Sequence, residues 1–211
     1  MRPTIGRKPT LSRFRPTTAR GLRARCQTCA GRIVGVFMTT KYSEFSPPNR
    51  LLLGAGPANV HPRVLQAMTS SLLGHLDPVF LQAMDDVRNM LREVFITKNS
   101  ATLPVSGTGT AGMEAAMVNI LEPGDTIILA TNGYFGERLA EIASRTGANV
   151  ITIEHGVGEP VTPETIKAEL VKHSDVKAVA VVHAETSTGV LTPLAEISKV
   201  THDAGALLVV D

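Results

Sequence analysis

The chain has 211 residues, a formal net charge of +2, 43% hydrophobic residues and 4% aromatic residues. This length is sufficient for one α/β domain with a buried aliphatic core. Residues 1–37 carry nine basic residues and no acidic one, so residues 38–211 hold 12 basic and all 19 acidic residues, a net of −7. Because the globular part is acidic, a nucleic-acid-binding function is excluded for it.

The N-terminal 37 residues are rich in Arg, Thr and Pro, a composition that cannot build a packed core. They are either an organelle transit peptide or an upstream extension, with Met38 as the true start. The second interpretation is favoured, so the cytoplasm is the expected compartment and an organelle such as the mitochondrion the alternative. Cys26 and Cys29 have Cys-x-x-Cys spacing, but no second pair lies nearby to complete a metal site. No run approaches the ~20 apolar residues of a membrane-spanning helix, so no membrane partner is expected.

Three regions follow from these patterns: a basic tail over residues 1–37, an irregular segment over 38–62 and a folded domain over 63–211. A short helix is expected from Pro62. Apolar residues then recur at spacings of three and four between residues 80 and 94, which predicts a helix with Asp77 as its N-cap. From residue 101 strands and helices alternate, which predicts a mostly parallel sheet with helices on both faces. The expected strands are 101–105, 126–130, 149–153, 178–182 and 206–210, and the expected helices are 110–121, 136–145, 162–173 and 194–203.

A glycine-rich loop, Ser106-Gly107-Thr108-Gly109-Thr110, leads from the first expected strand into a helix. Its flexible backbone, the free N–H groups of the helix start and the two threonine hydroxyls are suited to binding a phosphate. The loop also fits the Gly-x-Gly-x-x-Gly pattern of dinucleotide-binding domains. The second strand of such a domain ends in an acid, whereas this one ends in Thr131 and Asn132. A nicotinamide-dependent oxidoreductase is therefore disfavoured, and a terminal phosphate monoester is the better ligand.

Chemically versatile residues also follow the other strands, and the ends of parallel strands meet at one edge of a sheet. Tyr134 or Phe135 could stack on a flat ring, although ordinary packing is an alternative for both. Residues 183–189 offer a histidine, an acid and three hydroxyls, and Asp211 closes the last strand. Pyridoxal phosphate uses a phosphate cradle, an aromatic plate, a hydroxyl and an acid together, so it is the expected cofactor.

Residues from about 49 to 211 resemble the front part of class V, fold type I aminotransferases, and specifically the alanine–glyoxylate and serine–glyoxylate (serine–pyruvate) group. This resemblance implies a three-layer α/β/α large domain that binds pyridoxal 5′-phosphate, of which residues 63–211 would be a part. The matching motifs are Leu52-Leu53-Gly54-Ala55-Gly56-Pro57, Ser106 to Thr110 with Glu114-Ala115-Ala116, Glu122-Pro123-Gly124-Asp125, Asn132-Gly133-Tyr134-Phe135-Gly136, Glu185-Thr186-Ser187-Thr188-Gly189-Val190 and Val209-Val210-Asp211.

The resemblance also implies a role for individual residues. Phe135 would stack on the cofactor ring, Thr186 would bind its phenolic oxygen and Asp211 would pair with its pyridine nitrogen. The phosphate would be held by Thr108, Gly109 and Thr110. The substrate side would be lined by Gly54, Ala55 and Gly56, where relatives commonly read Gly-Pro-Gly-Pro.

The implied reaction transfers an amino group from an amino acid such as alanine or serine to glyoxylate or another 2-oxo acid, in a homodimer. The family's Schiff-base lysine and its carboxylate-binding arginine lie beyond the position that matches Asp211. The chain is therefore expected to be a fragment without a catalytic residue, inactive and poorly soluble alone, for which Lys177 and Lys199 are no substitutes. Other hypotheses remain open: a desulfurase, lyase or phosphonate transaminase of the same class, a nicotinamide-dependent oxidoreductase, or a non-catalytic binding protein.

Overall fold

The computed structural model describes residues 44–211, of which residues 52–211 form one compact unit. The predicted basic tail over residues 1–37, its two cysteines and the alternative start at Met38 lie outside the described residues. At the centre of the unit is a parallel sheet with strand order β2-β1-β3-β6. Its strands are β1 (Thr126–Thr131), β2 (Asn149–Glu154), β3 (Val176–Val181) and β6 (Leu207–Val210), and a short antiparallel hairpin pairs β4 (Ala184–Glu185) with β5 (Val190–Leu191).

Helices fill the intervals of the chain, largely where the apolar periodicity predicts them. As expected, Asp77 is the N-cap of the second helix, and its Oδ1 accepts the N–H of Val79 at 2.8 Å. Among residues 44–211 no helix is both long and apolar enough to cross a membrane. The helices are α1 (Pro62–Met68), α2 (Pro78–Val94), α3 (Gly109–Ile120), α4 (Tyr134–Ser144), α5 (Pro163–Leu170) and α6 (Ala195–Asp203).

Two hydrophobic layers cover the two faces of the sheet. Successive residues of a strand point to opposite faces, so Ile127 and Leu129 of β1 pack against α3 and α4, whereas Ile128 and Ala130 pack against α5 and α6. Met117 and Leu139 are fully or almost fully buried in the first layer. The predicted three-layer α/β/α arrangement with a mostly parallel sheet is confirmed.

The predicted strand over residues 101–105 is wrong, because within the described chain this segment pairs with no strand. Pro104 has no N–H to contribute to a ladder. The carbonyls just before it are bound by arginines of α2 instead: Arg88 donates to Ser100 and Thr102, and Arg92 donates to Asn99 and Ser100. These bonds anchor the segment that leads into the glycine loop.

Two smaller differences have local causes. Helix α5 ends at Leu170, three residues before the predicted end, because the following N–H groups of Lys172 and His173 bond to carbonyls three residues back and tighten the last turn. The β4–β5 hairpin was not predicted at all. Each of its strands has only two residues, which is too short for an alternating pattern to be visible.

Candidate functional site

A cleft of about 800 Å³ opens beyond the carboxyl ends of β1, β3 and β6. The chain runs from β1 outward to β2 and returns to β3 on the other side of β1, so the cleft lies where the strand order reverses. This is the position at which open α/β sheets bind their ligands, and the volume is typical of a small-molecule site. The lining residues are Phe95, Gly109, Thr110, Met113, Phe135, His183, Ala184, Thr186, Leu194, Val210 and Asp211.

The glycine loop brings the start of α3 to one end of this cleft. Gly109 and Thr110 line it, and the first N–H groups of a helix have no acceptor within the helix. Gly107 precedes them with φ +152°, and a Cβ there would lie 2.7 Å from the Cβ of Ala111, so only glycine fits. Thr108 is the N-cap of α3, but its exposed side chain makes no capping bond and does not line the cleft.

Phe135 lines the cleft, as do Met113 and a second aromatic residue, Phe95. Tyr134 lies outside it and meets the Phe135 ring edge-on, with ring centroids 5.3 Å apart and an interplanar angle of 86°. The guanidinium carbon of Arg138 is 5.2 Å from the centroid of the Tyr134 ring. Tyr134 therefore packs against Phe135. Of these two rings, which the sequence offered as alternatives for stacking, Phe135 is the one that lines the cleft.

Thr186 directly follows β4 and faces two spaces. It lines the main cleft and also a smaller pocket of about 280 Å³ that it shares with Ala55. A hydrogen bond of 2.8 Å from the N–H of Leu52 to Oδ1 of Asn59 closes the loop that carries Ala55. Gly54 and Gly56 flank Ala55 but line neither space. The structure thus brings one of the three predicted substrate-side residues next to Thr186.

Asp211 stands at the end of β6, on the wall of the cleft. Its N–H donates to the carbonyl of Val181 at 3.0 Å, and its own carbonyl accepts the N–H of His183 at 2.8 Å, so the sheet ladder fixes its backbone. Burial, and then the negative charge of Glu185, raise the pKa of the Asp211 carboxyl above its ordinary value. A cationic group in the cleft would lower the pKa of this carboxyl again, because it favours the ionised form.

Glu185 is a completely buried acid next to the cleft, and sequence reasoning assigned it no role. Its Oε2 accepts the N–H groups of Phe135 and Gly136, both at 3.1 Å. Its Oε1 accepts the N–H of Ser187 at 3.2 Å and the hydroxyl of Ser187 at 2.5 Å. Since a carboxylate can accept all four donors, the buried group is satisfied in its ionised form. The sequence signal that could have identified Glu185 is an acid among hydroxyl-bearing residues directly after a buried strand.

His183 is a second lining residue without a predicted role. Its Nδ1 lies 2.7 Å from the carbonyl oxygen of Thr192, which requires the proton on Nδ1. In the neutral ring Nε2 is then an acceptor. The other unpredicted lining residues, Phe95, Met113, Leu194 and Val210, are apolar and gave no sequence signal beyond helix or strand packing.

None of the lysines in the described part of the chain lines the cleft. Lys177 pairs with Asp125 at 2.6 Å at the start of β3, the end of the strand away from the cleft, and Lys199 pairs with Asp203 along α6. These hydrogen bonds raise the pKa of both lysines, which disfavours a neutral nucleophilic amine. Among residues 44–211 no three His, Cys, Asp or Glu side chains cluster as a metal site.

The donor set fits pyridoxal phosphate in size and in chemistry. The start of α3 and Thr110 offer donors for a phosphate, Phe135 and Met113 offer an apolar wall for a ring, and Thr186 offers a hydroxyl. Asp211 offers an acid whose raised pKa favours pairing with a cation. Five of the six residues predicted to bind the cofactor line this single cleft, and Thr108 adjoins it.

The fold and the cleft define an α/β domain whose residues at the carboxyl ends of a parallel sheet fit a phosphorylated small molecule. The chain belongs to the class-V aminotransferase family, whose model matches residues 50–211. This confirms the family predicted from the sequence motifs. Class-V aminotransferases are pyridoxal phosphate enzymes, in agreement with the expected cofactor.

Individual relatives agree with the family match. The chain is 43% identical over 166 residues to the alanine–glyoxylate aminotransferase of Mus musculus, covering 79% of this chain and 40% of the relative. It is 42% identical over 168 residues to the (S)-ureidoglycine–glyoxylate transaminase of Bacillus subtilis, covering 80% and 40%. The crystal structure of an alanine–glyoxylate aminotransferase from Nostoc sp. superimposes with a TM-score of 0.79 at 46% identity, covering 84% of this chain and 47% of that one. The chain spans about 40% of the length of these two curated relatives.

Proposed function

We propose that the protein is a pyridoxal-phosphate-dependent aminotransferase that moves an amino group from a small amino acid to a 2-oxo acid. The observation that carries the proposal is the convergence of a helix start, an aromatic ring, a hydroxyl and an acid on one cleft at the strand ends. When bound, pyridoxal phosphate supplies a protonated ring that withdraws electrons from the reacting carbon.

The chain's own residues would bind and orient this ring. The N–H groups of Gly109 and Thr110 and the Thr110 hydroxyl would hold the phosphate. The Phe135 ring would stack on the cofactor ring and exclude water from it. The hydroxyl of Thr186 would donate to the phenolic oxygen, and the carboxylate of Asp211 would keep the proton on the pyridine nitrogen. Thr108, next to the phosphate end, would add a hydroxyl, and the Gly54, Ala55 and Gly56 loop would border the substrate side.

Glyoxylate is the acceptor that we propose, because both curated relatives described above carry it in their names. Alanine or serine is the proposed donor, with alanine supported by the mouse relative. The name of the B. subtilis relative adds (S)-ureidoglycine as a second donor to be assayed. The small pocket beside Ala55 and Thr186, of about 280 Å³, suits a donor with a short side chain.

Two measurements test this function. Pyridoxal 5′-phosphate is titrated into the purified chain and its visible absorbance and dichroism are followed, with NADH as the competing cofactor. Activity is assayed on the protein expressed from its complete reading frame, with glyoxylate and each of the three donors. We expect saturable binding of pyridoxal phosphate, no binding of NADH and production of glycine. Failure to bind pyridoxal phosphate would reject the function, and binding without glycine production would favour a desulfurase, lyase or other class-V reaction.

We also propose that the enzyme is a homodimer, because α1, α2 and the loop between them expose large apolar side chains to solvent. Leu65, Met68, Leu72, Leu76 and Val79 are each about half exposed or more. A second copy that covers them would remove this surface from water. Light scattering is expected to give twice the chain mass, and a stable monomer would contradict the proposal.

The cytoplasm remains the proposed compartment, and a fluorescent fusion that carries residues 1–37 would distinguish it from an organelle.

A further inference from the structure

The first turn of α4, which carries Phe135, has no cap within its own segment. Its N-cap is Gly133, which has no side chain, so the first N–H groups of the helix need acceptors from elsewhere. They find them about 50 residues further along the chain. The N–H of Tyr134 donates to the hydroxyl of Ser187 at 3.1 Å, and those of Phe135 and Gly136 donate to the carboxylate of Glu185.

The same carboxylate also organises the turn on which Thr186 lies. Its second oxygen binds the N–H and the hydroxyl of Ser187, and the backbone carbonyl of Glu185 accepts the N–H groups of Thr188 and Gly189. Thr186 is held between these two sets of bonds. Glu185 therefore contacts both the segment that carries the Phe135 ring and the segment that carries the Thr186 hydroxyl. These two segments are far apart in the sequence.

We infer that Glu185 is a positioning residue, whose single buried carboxylate holds the Phe135 ring and the Thr186 hydroxyl at a fixed distance across the cofactor. This inference rests on the proposed function. A buried charge is costly unless it is fully bonded, and here four donors and the positive end of the α4 dipole satisfy it. Full satisfaction makes the geometry rigid, because any movement of either segment leaves a buried charge or N–H group unpaired.

Glu185→Gln is the variant that tests this role at constant size. The side-chain amide of glutamine has one acceptor oxygen, which can face either the N–H groups of α4 or the donors of Ser187. Its NH₂ group then faces the remaining set of donors. The N–H of Ser187 or those of α4 then lose their acceptor, and the two segments move apart. Ile197→Ala is the matched control, because Ile197 is fully buried on the opposite face of the sheet and has no contact with the cleft.

The probe is pyridoxamine 5′-phosphate, which binds without a covalent bond, and the readouts are its dissociation constant and its induced circular dichroism. We expect Glu185→Gln to weaken binding about 10-fold and to lose most of the dichroic band, because the ring loses its fixed orientation. Ile197→Ala, although its melting temperature falls, is expected to keep both. Ser187→Ala removes only the two hydrogen bonds of the Ser187 hydroxyl, to Glu185 and from the N–H of Tyr134, and we expect a loss in the same direction of about threefold. If Glu185→Gln fails to fold, the dissociation constant and dichroism measured with Ser187→Ala test the positioning role instead.

The outcomes distinguish failure of the positioning role of Glu185 from failure of the proposed function. Binding by the wild-type chain together with selective loss in Glu185→Gln and Ser187→Ala supports the positioning role. Wild-type affinity and dichroism in Glu185→Gln, or a loss no larger than in Ile197→Ala, would overturn that role and leave the proposed function intact. Absence of binding by the wild-type chain would overturn both.

Discussion

Replacing Gly133 with alanine is expected to lower the free energy of unfolding by about 3 kcal/mol, toward the upper end of the cost of overpacking a closed site. The added Cβ would lie 2.5 Å from Cγ and 2.7 Å from Cδ of Glu185, and 2.8 Å from Oγ of Ser187. All three atoms belong to Glu185 and Ser187, the pair that caps α4, so they cannot move without breaking hydrogen bonds to Tyr134, Phe135 or Gly136. Backbone strain is not the cause, because Gly133 is extended, with φ 172°.

Gly74→Ala is the matched control for this experiment. It adds the same methyl group to an exposed glycine that has nothing within 4 Å of the new Cβ. Urea unfolding of both variants is expected to leave Gly74→Ala within about 0.5 kcal/mol of wild type. Gly133→Ala is also expected to bind pyridoxamine phosphate more weakly than wild type. Equal stability of the two variants would mean that the capping pair is not as tightly packed as its contacts indicate.

Replacing Asp211 with asparagine is expected to weaken pyridoxamine phosphate binding about 100-fold, or about 2.7 kcal/mol, as for the loss of a hydrogen bond between two charged groups. The amide cannot balance the positive charge of a protonated pyridine nitrogen. In the wild-type chain the affinity should fall as the pH falls through the raised pKa of Asp211, because the carboxylate is the binding form. Titration at several pH values should show this dependence in the wild type and not in Asp211→Asn.

The same variant is expected to be no less stable than wild type at pH 7 without the cofactor. The folded-state pKa of Asp211 is raised, so its protonated form is favoured in the folded chain. Its contribution to stability is present below the unfolded pKa and is lost as the pH rises through the folded pKa. Above its folded pKa the wild type has lost this contribution, whereas asparagine stays uncharged at every pH. A lower melting temperature for Asp211→Asn than for wild type at pH 7 would contradict this expected direction. The difference in stability should be small, because Asp211 is partly exposed to solvent.

Much of the fold was predictable because its elements carry their own signals. Helix α2 shows apolar spacing and an Asp-Pro start, and the buried strands β1 and β3 are short apolar runs between turns. The segment 101–105 has the same apolar character, but a strand exists only when another strand pairs with it. Pairing is a property of the whole sheet, and the arginine contacts that bind residues 99–102 join positions 7 to 14 residues apart on different elements.

The site was predictable where position in the fold determines it. Gly109, Phe135, Thr186 and Asp211 follow strands or begin helices, so the rule that ligands bind at strand ends is enough to predict that they lie together. Glu185 lies in one of the same motifs, yet its side chain turns away from the cleft and into the protein. Its orientation depends on the absence of a side chain at Gly133, some 50 residues earlier, and single-sequence patterns do not carry such pairs.

The capping of α4 from a distant hairpin also orders the events of folding. The hydrogen bond between the N–H of Phe135 and Glu185 spans 50 residues, and that between the N–H of Tyr134 and Ser187 spans 53. Closing such a loop costs chain entropy before any contact compensates for it. We therefore expect the first turn of α4 to stay uncapped until the segment that carries Glu185 and Ser187 has docked. The aromatic wall of the cleft would then be completed by contacts that are far apart in the sequence.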